Sequence, residues 1–246
     1  MRQVLAARLR VMTTAREWAN ASFAEAIGRS HRDDPVLAAT GGPAGNARLT
    51  AWTGALLLVL FLVELATLLN VTGLISWHVV VGVLLIPPAL LKTCSTGWRI
   101  IRYYARSPVY RQAGPPPMLL RVLGPLVVFG TLAVLGSGLA LLALGQDASL
   151  RPFLTVLGYQ ISALTVHQAS FVVWAVVTGL HTLGRLVPAT RLITGRAIVP
   201  GTVARIIALT GVAAVAVLTA VLIYDASSSW VAQPIEHHHH VTGRHD

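Results

Sequence analysis

Residues 153–183 read FLTVLGYQISALTVHQASFVVWAVVTGLHTL, a run with two histidines, His167 and His181, and no lysine, arginine, aspartate or glutamate. A helix crossing a bilayer needs about 20 predominantly apolar residues, so a membrane span fits within this stretch. Four more stretches qualify, at about residues 49–69, 74–91, 119–144 and 202–224, the second continuing helically toward Tyr104. The composition agrees. Of 246 residues, 54% are apolar and 11% charged, against about 25% charged in soluble domains, and the mean hydropathy is +0.68. An ordinary soluble globule is excluded, and so is a disordered chain, which needs low hydrophobicity and high charge. The single cysteine, Cys94, excludes a disulfide framework and a cysteine-held zinc or iron–sulfur site.

The formal net charge is +10, and its placement sets an orientation. The basic residues gather between alternate spans. Lys92, Arg99, Arg102, Arg106, Arg111 and Arg121 lie between spans two and three, and Arg185, Arg191, Arg196 and Arg205 between spans four and five. The first link, Asn70 to Gly73, is uncharged, and the third carries only Asp147 and Arg151. Cytoplasmic links collect lysine and arginine. The expectation is therefore an all-α, multi-pass protein of the cytoplasmic (inner) membrane, with the N-terminus inside and the C-terminus outside. This distribution explains the basic balance without nucleic acid. Three regions follow: a basic cytoplasmic segment at 1–48, a five-helix bundle at 49–224, and a histidine-rich extracytoplasmic tail at 225–246. The first lacks the short apolar core of a signal peptide. It reads as a partly ordered tail, with a membrane-lying helix over residues 4–27 as the alternative. Pro87-Pro88 predicts a kink in span two, with a re-entrant segment as the alternative.

Three histidines fall in spans: His78, His167 and His181. A polar side chain in hydrocarbon usually faces the bundle interior, where one helix–helix hydrogen bond can satisfy a neutral imidazole. The spacing points further. At about 100° per residue, the fourteen residues from His167 to His181 turn about 1400°, some 40° short of four turns, and rise about 21 Å. One helix thus offers an imidazole near each side of the membrane, the arrangement that two stacked haems held by axial imidazoles require. His78 supplies the second helix. Spans two and four run the same way, and His78 lies about four residues inside the second. His167 lies about nine residues inside the fourth if that segment opens with an interfacial turn before Gly158, a mismatch of about 7 Å that tilt partly absorbs. His78 and His167 are expected to hold one b-type haem near the outer leaflet. Fourteen residues beyond His78 stands Lys92, which as a protonated amine is a poor iron ligand. His181 therefore keeps three readings: a second haem with another axial partner, a quinone or propionate contact, or a helix-end cap.

Glu64 is the one acid inside a span and lies on the His78 side. It suits accepting a proton from a quinol, or a hydrogen bond from the far nitrogen of an iron-bound imidazole; the competing reading is a protonated or snorkelling side chain. Gly82, one turn from His78, would admit a porphyrin face, and the glycines at 130, 136, 138, 158 and 179 serve equally well for helix packing. Past the last span, His237, His238, His239 and His240, with His245, form a weak candidate metal-binding tail.

The segment Ile75-Ser76-Trp77-His78-Val79-Val80-Val81-Gly82, with His167 and His181 on a later helix, resembles bacterial membrane cytochromes b, including cytochrome b-561-like and ferric-reductase-like transmembrane domains. One histidine on one helix and two on another is also similar to the haem-bearing membrane partner of periplasmic molybdopterin oxidoreductases. The resemblance spans about residues 48–224. It implies a four-helix haem-binding core, with His78, His167 and His181 as ligands of haem b, one copy or two. It also implies electron transfer between a quinone pool or cytoplasmic donor and an extracytoplasmic redox partner. The chain lacks a fourth intramembrane histidine, which leaves the second haem open. No glycine-rich nucleotide fingerprint follows a strand, so the expected role is an electron-transfer subunit of an oxidoreductase, with no catalytic residue of its own. The alternative class is a cofactor-free membrane transporter or assembly factor.

Overall fold

A computed structural model describes residues 16, 17, 19–24, 26, 27, 29, 41–112, 118–195 and 198–224. Among the described residues from 41 onward, six α-helices run in the order α1 (Gly42–Thr67), α2 (Ile75–Tyr104), α3 (Pro108–Gln112), α4 (Met118–Leu150), α5 (Ala163–Thr194) and α6 (Thr202–Tyr224), with a short hairpin of β1 (Leu154–Val156) and β2 (Tyr159–Ile161) before α5. All but α3 are long and apolar enough to cross a membrane. The chain is thus built as five candidate spans, at the places the hydropathy marks. Most of the large apolar side chains on these helices are exposed, as expected where lipid rather than water is the surrounding solvent.

The fourth span, expected within residues 153–183, runs from Ala163 to Thr194. It begins ten residues after Phe153 because the intervening residues form a hairpin. Its turn is Leu157-Gly158, with φ of 51° and 84°. Two successive positive φ values are what a two-residue hairpin turn requires, and β1 and β2 pair antiparallel in register. Ser162 then opens α5 with a capping box, its Oγ accepting from the Thr165 amide while the Thr165 hydroxyl accepts from the Ser162 amide. Reciprocal satisfaction of two amides fixes the helix start at that serine. The third helix does break after residue 144. Gly145 takes φ 76° and ψ 172°, and the turns beyond it fold back so that the Ser149 hydroxyl donates to the Leu141 carbonyl at 3.4 Å.

Span two shows no break. The helix passes through Pro87 and Pro88 without interruption, and Pro88 is fully buried. Helices in lipid tolerate such prolines where the surroundings meet the freed carbonyls.

Two pairs pack as neighbours in sequence, α1 on α2 and α4 on α5, and α6 returns to pack against α2. Polar threads tie one end together. Asn46 donates to the Ser95 carbonyl at 3.0 Å, Thr50 meets the Ser95 hydroxyl at 3.0 Å, and Lys92 donates to the Thr50 carbonyl at 3.2 Å. Arg48 closes the last turn of α5, donating to the carbonyls of Leu192 and Gly195 at 3.2 and 2.8 Å. A cation at the carbonyl end of a helix satisfies acceptors that have no intrahelical partner. Before α1, residues 19–24 are helical, with Phe23 exposed. Residues 16, 17 and 26 are helical as well; residues 4–15, 18 and 25 of the expected 4–27 helix, and the histidine-rich tail from 225 onward, lie outside the described residues.

Candidate functional site

The four long helices α1, α2, α4 and α5 surround one cavity of about 1860 Å³, and no residue of α6 lines it. That volume is nearly twice the about 1,000 Å³ at the upper end of small-molecule sites. Its lining includes Glu64, His78 and His167 toward one end and Lys92, His181 and Arg185 toward the other.

Consider first the His78 end. His78 is the fourth residue of α2 and His167 the fifth of α5, so the two stand at almost equal depth from their helix starts. The depth mismatch of about 7 Å disappears because the hairpin takes up the residues that would have lengthened α5. Their ring centroids are 6.4 Å apart and the ring planes are inclined at 79°. Rings this close, each near the start of its helix, also require α2 and α5 to run in the same direction.

Each imidazole is held by its Nδ1. Glu64 Oε1 lies 2.9 Å from Nδ1 of His78, and Thr67 Oγ1 lies 3.1 Å from it. The Thr67 hydroxyl donates its own proton to the Glu64 carbonyl at 2.6 Å, so its oxygen is left to accept. A carboxylate also accepts only. In a neutral ring, Nδ1 of His78 then carries the proton and Nε2 the lone pair. His167 repeats the pattern. Ser137 Oγ lies 2.9 Å from its Nδ1 and donates to the Val134 carbonyl at 3.1 Å, which again makes Nδ1–H the donor. Both rings thus have one nitrogen engaged and the other available for coordination, the arrangement that outer hydrogen bonds impose on metal-binding histidines.

The surroundings are tight and aromatic. A Cβ on Gly138 would stand 3.3 Å from Cε1 of His167, and one on Gly130 would stand 3.2 Å from Cδ1 of Trp174. Gly82 lies against Glu64, whose Oε1 would be 3.5 Å from an added Cβ; the neighbour here is the carboxylate that holds His78. Trp174 meets Phe61 edge-to-face at 4.5 Å and donates from Nε1 to Thr131 at 2.8 Å. Glu64 Oε2 and Gln146 Oε1 are buried without a hydrogen-bond partner among the described residues.

The Lys92 end differs in kind. His181 is far from the paired rings along α5, and the charges that act on it are those of Lys92 and Arg185. Its Nδ1 and the Thr178 hydroxyl, one turn away, are buried without partners among the described residues. The ammonium of Lys92 sits against Gly54, where an added Cβ would come within 2.7 Å of Nζ.

Sequence reasoning selected His78, His167, Glu64 and His181 but passed over Thr67 and Ser137. Thr67 lies three residues after Glu64, on the same face of α1, and Ser137 stands between two glycines in span three. Those placements were the available signals. No group of three or more histidine, cysteine, aspartate or glutamate side chains that could hold a metal ion is present among the described residues; two axial imidazoles suffice for a haem, whose other iron ligands come from the porphyrin. No protein-family model, curated protein or solved structure matches the chain.

Proposed function

We propose that this chain is a b-type membrane cytochrome, an electron-transfer subunit that carries electrons between a quinone pool or cytoplasmic donor and an extracytoplasmic redox partner. The observation that carries the reading is the pair of imidazoles from two helices, 6.4 Å apart, each with Nδ1 occupied by an acceptor. Two iron–nitrogen bonds of about 2 Å, each extended to the centre of a five-membered ring, give a centroid separation of about 6 Å. The separation of the two rings therefore fits a pair of residues that would hold a haem iron.

His78 and His167 would hold the iron through Nε2, and haem b supplies one-electron redox chemistry there. The chain's own residues prepare the site. Glu64 and Thr67 fix the tautomer of His78 and, by accepting the hydrogen bond of its Nδ1–H, make the imidazole a stronger donor. Ser137 does the same for His167 with a neutral acceptor. Gly138 keeps the space beside His167 open, and Phe61 and Trp174 close the wall with apolar surface that excludes water. The basic links between spans two and three and between spans four and five favour an orientation with this end of the cavity near the extracytoplasmic face, within reach of an external partner.

The test is a redox-difference spectrum of the purified chain, made with adequate haem supply. A Soret band that shifts on dithionite reduction is expected. His78→Ala and His167→Ala should each abolish it, with haem-to-protein stoichiometry falling to near zero. A colourless wild-type preparation would overturn the proposal. The length of the cavity favours a second reading, a cofactor-free transport path past Glu64 and the three histidines, and that reading predicts the colourless outcome. Five helices, however, do not divide into the inverted halves common in transporters.

A further inference from the structure

We propose that the Lys92 end of the cavity is a separate binding site for the carboxylate or phosphate head of a membrane amphiphile. Lys92 lies within a candidate span, half-buried, and among the described residues its ammonium meets one acceptor, the Thr50 carbonyl at 3.2 Å. Arg185 stands near it and adds a second positive charge. The acids described elsewhere give no relief: Glu64 is engaged with His78 at the opposite end, and neither Glu17 nor Asp147 pairs with Lys92. A charge in a low-dielectric interior is costly unless an opposite charge or several hydrogen bonds compensate it, and in a membrane such residues mark ligand paths.

Side chains from α5 converge on the same place. Thr178, His181 and Arg185 follow one another at helical spacings of three and four, so they share one face, and all three line the cavity. The Thr178 hydroxyl and His181 Nδ1 are both buried and unpartnered among the described residues. An oxyanion placed between α2 and α5 would take hydrogen bonds from Thr178 and His181 while neutralising Lys92. Gly54 adds a notch, since only a residue without a Cβ leaves room for Nζ at that point. Beyond the charged end the walls are apolar, with Leu57, Leu58, Leu85 and Ile86 among them, which suits a hydrocarbon tail.

Contrast with the paired imidazoles argues against a second iron. Lys92 stands fourteen residues beyond His78, where a matching second ligand would stand, but lysine is ordinarily a protonated amine with no lone pair to offer iron, and its Nζ is engaged with the Thr50 carbonyl. His181 has no acceptor fixing its Nδ1–H, whereas His78 and His167 each have one. The site is cationic where a ligand pair would be neutral.

The inference stands whether or not the other end holds haem, and one experiment separates the two. The full chain in a neutral detergent is titrated with oleate, with dioleoylphosphatidylglycerol and with zwitterionic dioleoylphosphatidylcholine, following the thermal unfolding midpoint and bound stoichiometry. One equivalent of oleate or of phosphatidylglycerol should bind and raise the midpoint, and the preferred head names the source, fatty carboxylate or lipid phosphodiester. Lys92→Met should weaken that binding at least about 10-fold, Lys92→Arg should largely preserve it, and Thr178→Val, nearly isosteric and neutral, should weaken it severalfold. Should Lys92→Met fail to fold, the Arg and Val variants carry the comparison. Equal binding of phosphatidylcholine, or unchanged affinity in Thr178→Val, overturns the site. Two haems per wild-type chain, falling to one in Lys92→Met, overturns it as well, because the chamber would then belong to a porphyrin. Loss of the Soret band from the wild type, with amphiphile binding intact, sinks only the cytochrome reading.

Discussion

At the scale of single residues, the difference between the two ends of the cavity lies in what Nδ1 of each histidine meets. His78 has a carboxylate and a hydroxyl, His167 a hydroxyl with the Val134 carbonyl beside it, and His181 no partner among the described residues. A carboxylate acceptor makes an imidazole more basic than a hydroxyl does, and a more basic ligand favours oxidised iron. Glu64→Gln keeps a side-chain oxygen near Nδ1 but removes the charge. It is expected to raise the midpoint potential of the bound haem with little loss of occupancy, which a spectroelectrochemical titration would read. An unchanged potential would mean that the carboxylate does not act through His78. Ser137→Ala leaves a buried Nδ1–H short of an acceptor, a cost of about 1–3 kcal/mol, and should weaken haem affinity by about 10-fold, measured by titrating the haem-free chain.

The hairpin, at the scale of elements, determines where His167 stands. By taking residues 154–161 out of the helix, it starts α5 at Ala163 and brings His167 level with His78. Had the helix begun at Phe153, His167 would lie about ten residues deeper, or about 15 Å at 1.5 Å per residue, and no axial pair would form. Helix α4 contributes by what it omits. Gly136 and Gly138 flank Ser137, and a side chain at 138 would crowd the His167 ring. Gly138→Leu is therefore expected to abolish the Soret band while the far-ultraviolet circular dichroism stays that of a helical bundle. Retention of a normal band would show that the ring can move aside at no cost to binding.

Across the whole molecule, the architecture is a four-helix enclosure with a fifth span on its outside. Helix α6 packs against α2 and lines none of the cavity, so its contribution is to shield α2 from lipid and to carry the chain across once more. The cavity runs from one end of the bundle to the other and is polarised, with Glu64 at one end and Lys92 with several arginines at the other. The positive-inside distribution predicts that the arginine-rich end faces the cytoplasm. Impermeant maleimide labelling checks this in a Cys94→Ser background. Leu157→Cys, at the exposed hairpin tip, should label in intact cells with a permeable outer layer, and Arg106→Cys only after the membrane is opened. The reverse pattern would invert the molecule and place the paired imidazoles at the cytoplasmic face.

Hydropathy and charge alone determined the five spans and the expected orientation, because lipid selects apolar length and the cytoplasm retains basic links, and both are sums over many residues. The last span and the end of regular helix at Leu144 were likewise legible. Helical periodicity singled out His78, His167 and His181, since a fourteen-residue interval fixes face and depth within a helix. What periodicity leaves open is the relation between helices: where each one starts, and which side chain of a neighbour meets each ring nitrogen. Thr67 and Ser137 are common in membrane helices and acquire a role only through the Nδ1 atoms they face. Lys92 was visible as an awkward residue at a symmetric position; that it shares a chamber with His181 and Thr178, with no described carboxylate paired to it, is a property of the packed bundle. The physical reason is range. Burial and charge partition act on each segment by itself, whereas a hydrogen bond needs two helices brought within about 3 Å, and only the tertiary structure sets that distance.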